Sequence, residues 1–230
     1  MKTIGLIGGM SWESSIEYYR IINQETQHRL GGLHNAVSVM VTIDFAEMEE
    51  LQHSGRWDEA DEVLVKASKS LEASGADFIV ICTNTMHRSI PAIEKVVKLP
   101  ILHIADATAA LIKQDGLMRV GLLGTRFTME EDFYKKRLTD QFGLSVLTPP
   151  KTDRDIVHQV IYSELVNGII RPESRREYLR IIDDLVQAGA QAVILGCTEI
   201  GLLVSDQDTQ VRLYDTTRIH ALAAVEMALD

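Results

Sequence analysis

Short β-branched apolar runs alternate with longer stretches of helical periodicity along the whole chain, the pattern of parallel strands joined by crossover helices. It predicts strands near residues 3–8, 36–43, 77–82 and 100–104, with helices over 14–29, 57–74, 88–97 and 105–114. The order then begins again, with strands near 119–123, 143–147, 191–196 and 211–214 and helices over 128–140, 153–166, 173–188 and 216–229. Ser14 to Glu17 and Thr128 to Glu131 have the spacing of capping boxes, and Pro172 suits a first helical turn.

The recurrence extends to individual residues. Ile4 to Gly9 reads like Val120 to Thr125, 116 positions on, and Ser74 to Ile81 reads like Ala188 to Leu195, 114 positions on. Two matches in the same order point to a duplicated unit. The expected fold is therefore α/β, with two similar α/β half-domains of mostly parallel sheets, a pseudo-twofold between them and the active site in the cleft they form. Residues 1–100 plus 212–230 are expected to make the first domain and residues 101–211 the second, the last helix returning to the first half.

Composition narrows the classes. Of 230 residues, 46% are hydrophobic and 24% charged, close to the averages for soluble globular proteins, and no apolar run is long enough to span a bilayer. Met1 to Gly9 passes into patterned sequence without a long apolar stretch ahead of a cleavage site, so a cytoplasmic location is expected. The net charge of −10 argues against nucleic acid and anionic membranes as partners. Cys82 and Cys197, far apart in a reducing compartment, are not expected to form a disulfide, and the seven histidines lack metal-ligand spacing.

Each half ends one strand in a polar run containing a thiol or hydroxyl: Cys82-Thr83-Asn84-Thr85-Met86-His87 and Cys197-Thr198-Glu199. A single buried cysteine at a strand end is commonly a small hydrophobe, but two equivalent ends followed by hydrogen-bonding residues suggest reactive groups. The Gly8-Gly9-Met10-Ser11 turn is a candidate cradle for a carboxylate through its backbone N–H groups. It is not the G-x-G-x-x-G turn, and Asp44 lies too far along for a ribose partner, so a nicotinamide cofactor is not expected.

At these residues the chain resembles the aspartate/glutamate racemase family. The family carries a cysteine near Asn-Thr in its first half and Gly-Cys-Thr followed by an acidic residue or histidine in its second. Here those motifs read Cys82-Thr83-Asn84-Thr85 and Gly196-Cys197-Thr198-Glu199, and the likeness runs from the opening Gly-Gly-Met over essentially the whole chain. Glu199 in place of histidine looks more like the aspartate racemase branch. The resemblance implies two acid/base groups, no cofactor, a homodimer and a small amino-acid substrate.

One departure matters: many members have the cysteine directly before asparagine, where this chain has Thr83. The 114-residue offset independently sets Thr83 opposite Cys197 and Cys82 opposite Gly196, and successive strand residues face opposite ways. Thr83 and Cys197 are therefore the expected catalytic pair, with Cys82 as the alternative. In the family the second-half cysteine deprotonates the L-enantiomer, so the resemblance makes Cys197 the base for L-substrates.

Met10, Asn84, Thr85, Thr125, Thr198 and Glu199 are candidate substrate contacts, the threonines equally able to cap helices, and Gln52 lies in a segment resembling a family substrate contact. Arg56, Arg88 and Arg126 are candidates for a distal carboxylate, while His87 and Glu199 can tune their neighbours. The alternatives are another isomerase or decarboxylase of dicarboxylates from the same superfamily, or a non-catalytic amino-acid-binding protein.

Overall fold

The structure, a computed structural model, describes residues 1 to 230. The chain separates into two compact units, Met1–His103 with His220–Asp230, and Ile104–Ile219.

In the first unit, β1 (Ile4–Gly8), β2 (Ser38–Thr42), β3 (Phe78–Ile81) and β4 (Ile101–Leu102) form an all-parallel sheet in the order β2-β1-β3-β4. Its crossovers are α1 (Trp12–Leu30), α2 (Phe45–His53), α3 (Trp57–Ala73), and a 3-10 turn (Thr85–Ser89) running into α4 (Ile90–Glu94). Strand alternation divides the core. Ile7, Ile79 and Ile81 pack with Met48, Leu64, Leu71 and Ile93, whereas Ile4, Leu6, Phe78, Val80 and Cys82 pack with Tyr18, Ile22, Ala221, Ala224, Val225 and Ala228. A sheet covered on both faces explains why its strands read as continuous apolar runs rather than as alternating ones.

The second unit repeats the topology. Here β5 (Arg119–Gly124), β6 (Ser145–Leu147), β7 (Ala192–Gly196) and β8 (Leu213–Asp215) pair in parallel in the order β6-β5-β7-β8. The intervening helices are α5 (Ile104–Gln114), α6 (Arg126–Glu130), α7 (Asp132–Phe142), α8 (Lys151–Ser163), α9 (Pro172–Gln187) and the short α10 (Ile200–Leu203). The final helix, α11 (Thr216–Leu229), contributes residues to both units. No helix is long and apolar enough to cross a membrane.

The α/β class and the parallel sheets expected from the pattern are present, and Pro172 opens α9 as anticipated. Other details differ. Residues 212–219 lie with the second unit, where β8 pairs with β7 through Leu213, Tyr214 and Asp215, and residues 101–103 lie with the first, where β4 pairs with β3. Helix α1 begins at Trp12 behind Ser11, so Ser14 and Ser15 are buried in its first turn and do not cap it. Thr125 caps α6 by accepting from the Thr128 N–H at 3.3 Å, and extended backbone at Glu131 separates α6 from α7, so Thr128 to Glu131 is not a capping box. The helix expected over 88–97 starts as a 3-10 turn at Thr85, with Pro91 in the first turn of α4.

Candidate active site

Most of the candidate residues lie at the ends of three parallel strands, β1, β3 and β7, and the first of these ends depends on a glycine. After β1 the backbone at Gly9 has φ +91°, and a Cβ there would lie 2.2 Å from the Ile43 carbonyl oxygen, so only glycine fits. The Gly9 N–H donates to Ser15 Oγ at 2.8 Å, and Ser15 Oγ donates to the Ser11 carbonyl at 2.8 Å. The turn is thus closed by its own helix. The expected carboxylate cradle loses the Gly9 N–H as a donor, and Met10 is buried in the first core.

At the end of β3 the chain leaves the ladder. The Cys82 N–H still donates to the Ile7 carbonyl at 2.9 Å, but the Thr83 N–H turns back to the Ile81 carbonyl at 2.8 Å and the 3-10 turn follows. Cys82 continues the face of Phe78 and Val80 and is fully buried beside Tyr18. Burial in this apolar setting pushes its thiol far above the ordinary cysteine range. Thr83, 9% exposed, is the first residue beyond that face.

The second unit presents the same strand end with different chemistry. In the ladder Gly124 pairs with Gly196, and a Cβ on Gly196 would lie 2.9 Å from the Leu123 carbonyl oxygen, so the two strands approach too closely for a side chain. Cys197 follows directly. Its Sγ donates to Glu199 Oε2 at 2.9 Å, and Thr198 Oγ1 donates to the same oxygen at 3.0 Å. The Thr198 carbonyl is held in turn by Thr217 Oγ1 at 3.1 Å. Burial, reinforced by the charge and the hydrogen bond of Glu199, pushes the Cys197 thiol well above its usual value. Unaided, this sulfur is an acid. With Glu199 as acceptor for its own proton, it can also take one.

The two sheets share a register. Ile4 pairs with Phe78 and Ile7 with Ile81 in the first, as Val120 pairs with Ala192 and Leu123 with Leu195 in the second. Stepping past the last of these pairs, Thr83 and Cys197 occupy equivalent positions in their own units, and Cys82 corresponds to Gly196.

Residues 7–224 match the Asp/Glu/hydantoin racemase family. The chain belongs to this family. It is 53% identical to an Asp/Glu racemase candidate from Yersinia pestis, with a TM-score of 0.92 and both chains covered completely. An aspartate racemase homologue from Pyrococcus horikoshii is 32% identical over the full length of both chains, with a TM-score of 0.85. A broad-specificity amino-acid racemase from Bacillus subtilis is 22% identical over 179 residues, 75% of this chain and 74% of that one.

As a member of the Asp/Glu/hydantoin racemase family, the chain gathers several of the expected residues around each strand end. Asn84 and Thr85 are buried at the 3-10 turn beside Thr83, and Gln52 on α2 reaches Met86 Sδ with its Nε2 at 3.2 Å. Thr198 and Glu199 form the hydrogen-bonded group at Cys197. Thr125 acts as a helix cap. Of the three arginines, Arg56 is exposed and engaged by Glu50 and Glu59, Arg88 lies over the Trp57 ring at 3.7 Å, and Arg126 is exposed beside Phe127. Sequence reasoning missed Ser15 as the closure of the Gly9 turn. It also missed Tyr18, His103 and His220, buried around His87, because their sequence separations form no local pattern.

Proposed function

We propose that the protein is a cofactor-independent racemase of acidic amino acids, aspartate or glutamate, in which Cys197 and Thr83 serve opposite faces of the α-carbon. The observation that carries this reading is the shared register of the two sheets, which gives Thr83 and Cys197 equivalent strand-end positions. Family membership and the names of the similar proteins support the substrate class.

Inverting an α-carbon requires a base on one face and an acid on the other, both within hydrogen-bonding reach of that carbon. On the Cys197 face, the α-proton passes to Sγ as the thiol proton passes to Glu199 Oε2, 2.9 Å away. This coupled transfer lets a buried thiol act as a base without standing as a thiolate. On the other face, Thr83 Oγ1 delivers its proton to the carbanion and recovers one from solvent. A hydroxyl is a far weaker acid than a thiol, so this half-reaction is the slow one.

The two enantiomers then behave unequally. L-substrates, whose α-hydrogen faces Cys197, exchange it quickly with solvent, while D-substrates exchange slowly and net inversion is slow in both directions. Incubation with L- and D-aspartate or glutamate in heavy water, followed by proton NMR, tests the proposal. Fast exchange on L and slow exchange on D is the expected result. Equal rates would overturn the asymmetric pair, and no exchange on either would overturn the racemase reading.

A further inference from the structure

Behind Thr83 the first unit buries three imidazoles. The His87 ring centroid lies 4.7 Å from that of His103 and 5.7 Å from that of His220, and all three side chains are nearly or fully shielded from solvent. Two backbone carbonyls determine how two of these rings carry their protons. His220 Nε2 lies 2.9 Å from the Leu102 carbonyl oxygen, which only accepts, so Nε2 is the donor and Nδ1 accepts from Tyr18 Oη at 2.8 Å. His87 Nδ1 lies 2.7 Å from the Thr83 carbonyl oxygen, so Nδ1 is the protonated nitrogen there.

That hydrogen bond lands on the residue assigned to the slow face. The Thr83 N–H is already tied to the Ile81 carbonyl, so His87 fixes the second polar group of the Thr83 peptide backbone. The ring cannot swing away, because His103 and His220 pack against it and His220 is anchored at both nitrogens. We infer that His87 is a positioning residue for the Thr83 half-reaction: its Nδ1–H holds the Thr83 backbone so that Oγ1 is presented to the α-carbon. The inference rests on the racemase reading and adds a residue to it.

Side-chain geometry supplies the test. Asparagine places an amide nitrogen where histidine has Nδ1, whereas glutamine places one near Nε2. His87→Leu removes both. In His87→Leu, L-to-D inversion is expected to fall about a hundredfold, the scale of a misplaced reacting group. α-Hydrogen exchange on the L-substrate, which needs only Cys197, is expected to stay within about threefold of wild type. His87→Asn restores inversion and His87→Gln does not. Rescue by glutamine instead of asparagine would overturn the proposal in favour of a role through Nε2. A parallel loss of exchange and inversion in all three variants would overturn it in favour of general structural damage.

One readout does not depend on turnover. In the nitrogen-15-labelled wild-type protein, imidazole correlations report the tautomer directly, and His87 is expected to carry its proton on Nδ1. A proton on Nε2 alone would overturn the inference whether or not the chain racemises anything. Absence of all α-exchange with the Nδ1 tautomer present would instead remove the racemase reading and, with it, the half-reaction that His87 is assigned to serve.

Discussion

At Cys197 the carboxylate of Glu199 both receives the thiol hydrogen bond and raises the cost of ionising the sulfur. Glu199→Gln removes the proton acceptor and the charge together. L-Aspartate exchange at pH 7 is expected to fall at least about a hundredfold, as for loss of a general base. With the charge gone the thiol titrates lower than in the wild type, while burial still holds it above a free cysteine, so the variant should regain rate only in the alkaline range above about 8.5. A pH profile of deuterium incorporation checks this, and an unchanged rate at pH 7 would contradict it. Cys82 has no such partner, and its effect is on stability. Its folded-state value is raised, so its contribution is complete below about pH 8.5 and is lost as pH rises, because the unfolded thiol ionises while the buried one does not. Urea unfolding should show a loss of about 1.4 kcal/mol per pH unit from this thiol above that point, absent in Cys82→Ala.

Among elements, the turn after β1 is the most demanding. Gly9→Ala meets both positive φ and the Ile43 carbonyl oxygen, and is expected to cost at least about 2 kcal/mol. Gly31→Ala, at φ +76° with nothing within 4 Å, isolates the backbone preference at about 1 kcal/mol. Equal losses in chemical denaturation would show that the close approach to Ile43 is harmless. The same turn illustrates what a sequence conceals. Ser14 to Glu17 satisfies the spacing of a capping box, yet Ser15 is drawn inward by the Gly9 N–H, a contact that no local pattern announces. The α2 helix was likewise invisible, because its buried residues, Met48, Leu51 and Gln52, are too few to display a period. Strands and long helices were legible because two-faced burial leaves unbroken apolar runs in the first and a wide stripe in the second. The shared register was legible because the repeat preserves strand pairing, with Phe78 to Ile81 on β1 matching Ala192 to Leu195 on β5. The imidazole group around His87 was not, since Tyr18, His103 and His220 meet only after the chain has folded.

Across the molecule, each unit has a core of its own, and the first is made from both ends of the chain. Ala221, Ala224, Val225 and Ala228 follow helical spacing on α11 and cover Ile4, Leu6 and Val80, while the Lys2 N–H donates to the Ala228 carbonyl at 2.8 Å. Removing residues 220–230 should therefore expose one face of the first sheet and leave the core of the second unit complete. Amide hydrogen exchange is the appropriate measurement, with protection lost in β1 and β3 and kept in β5 and β7. Loss of protection in all four strands alike would contradict independent cores.

The placement of α11 also bears on how the protein is made. The second unit is formed from one uninterrupted stretch, Ile104–Ile219, whereas the first, although begun earlier in the chain, needs residues 220–230 to supply the helix face that covers Ile4 and Leu6. The amino-terminal unit therefore cannot, as is usual, complete its core before the one that follows it. Until residues 220–230 have emerged, one apolar face of the earliest-made sheet stands open to chaperones.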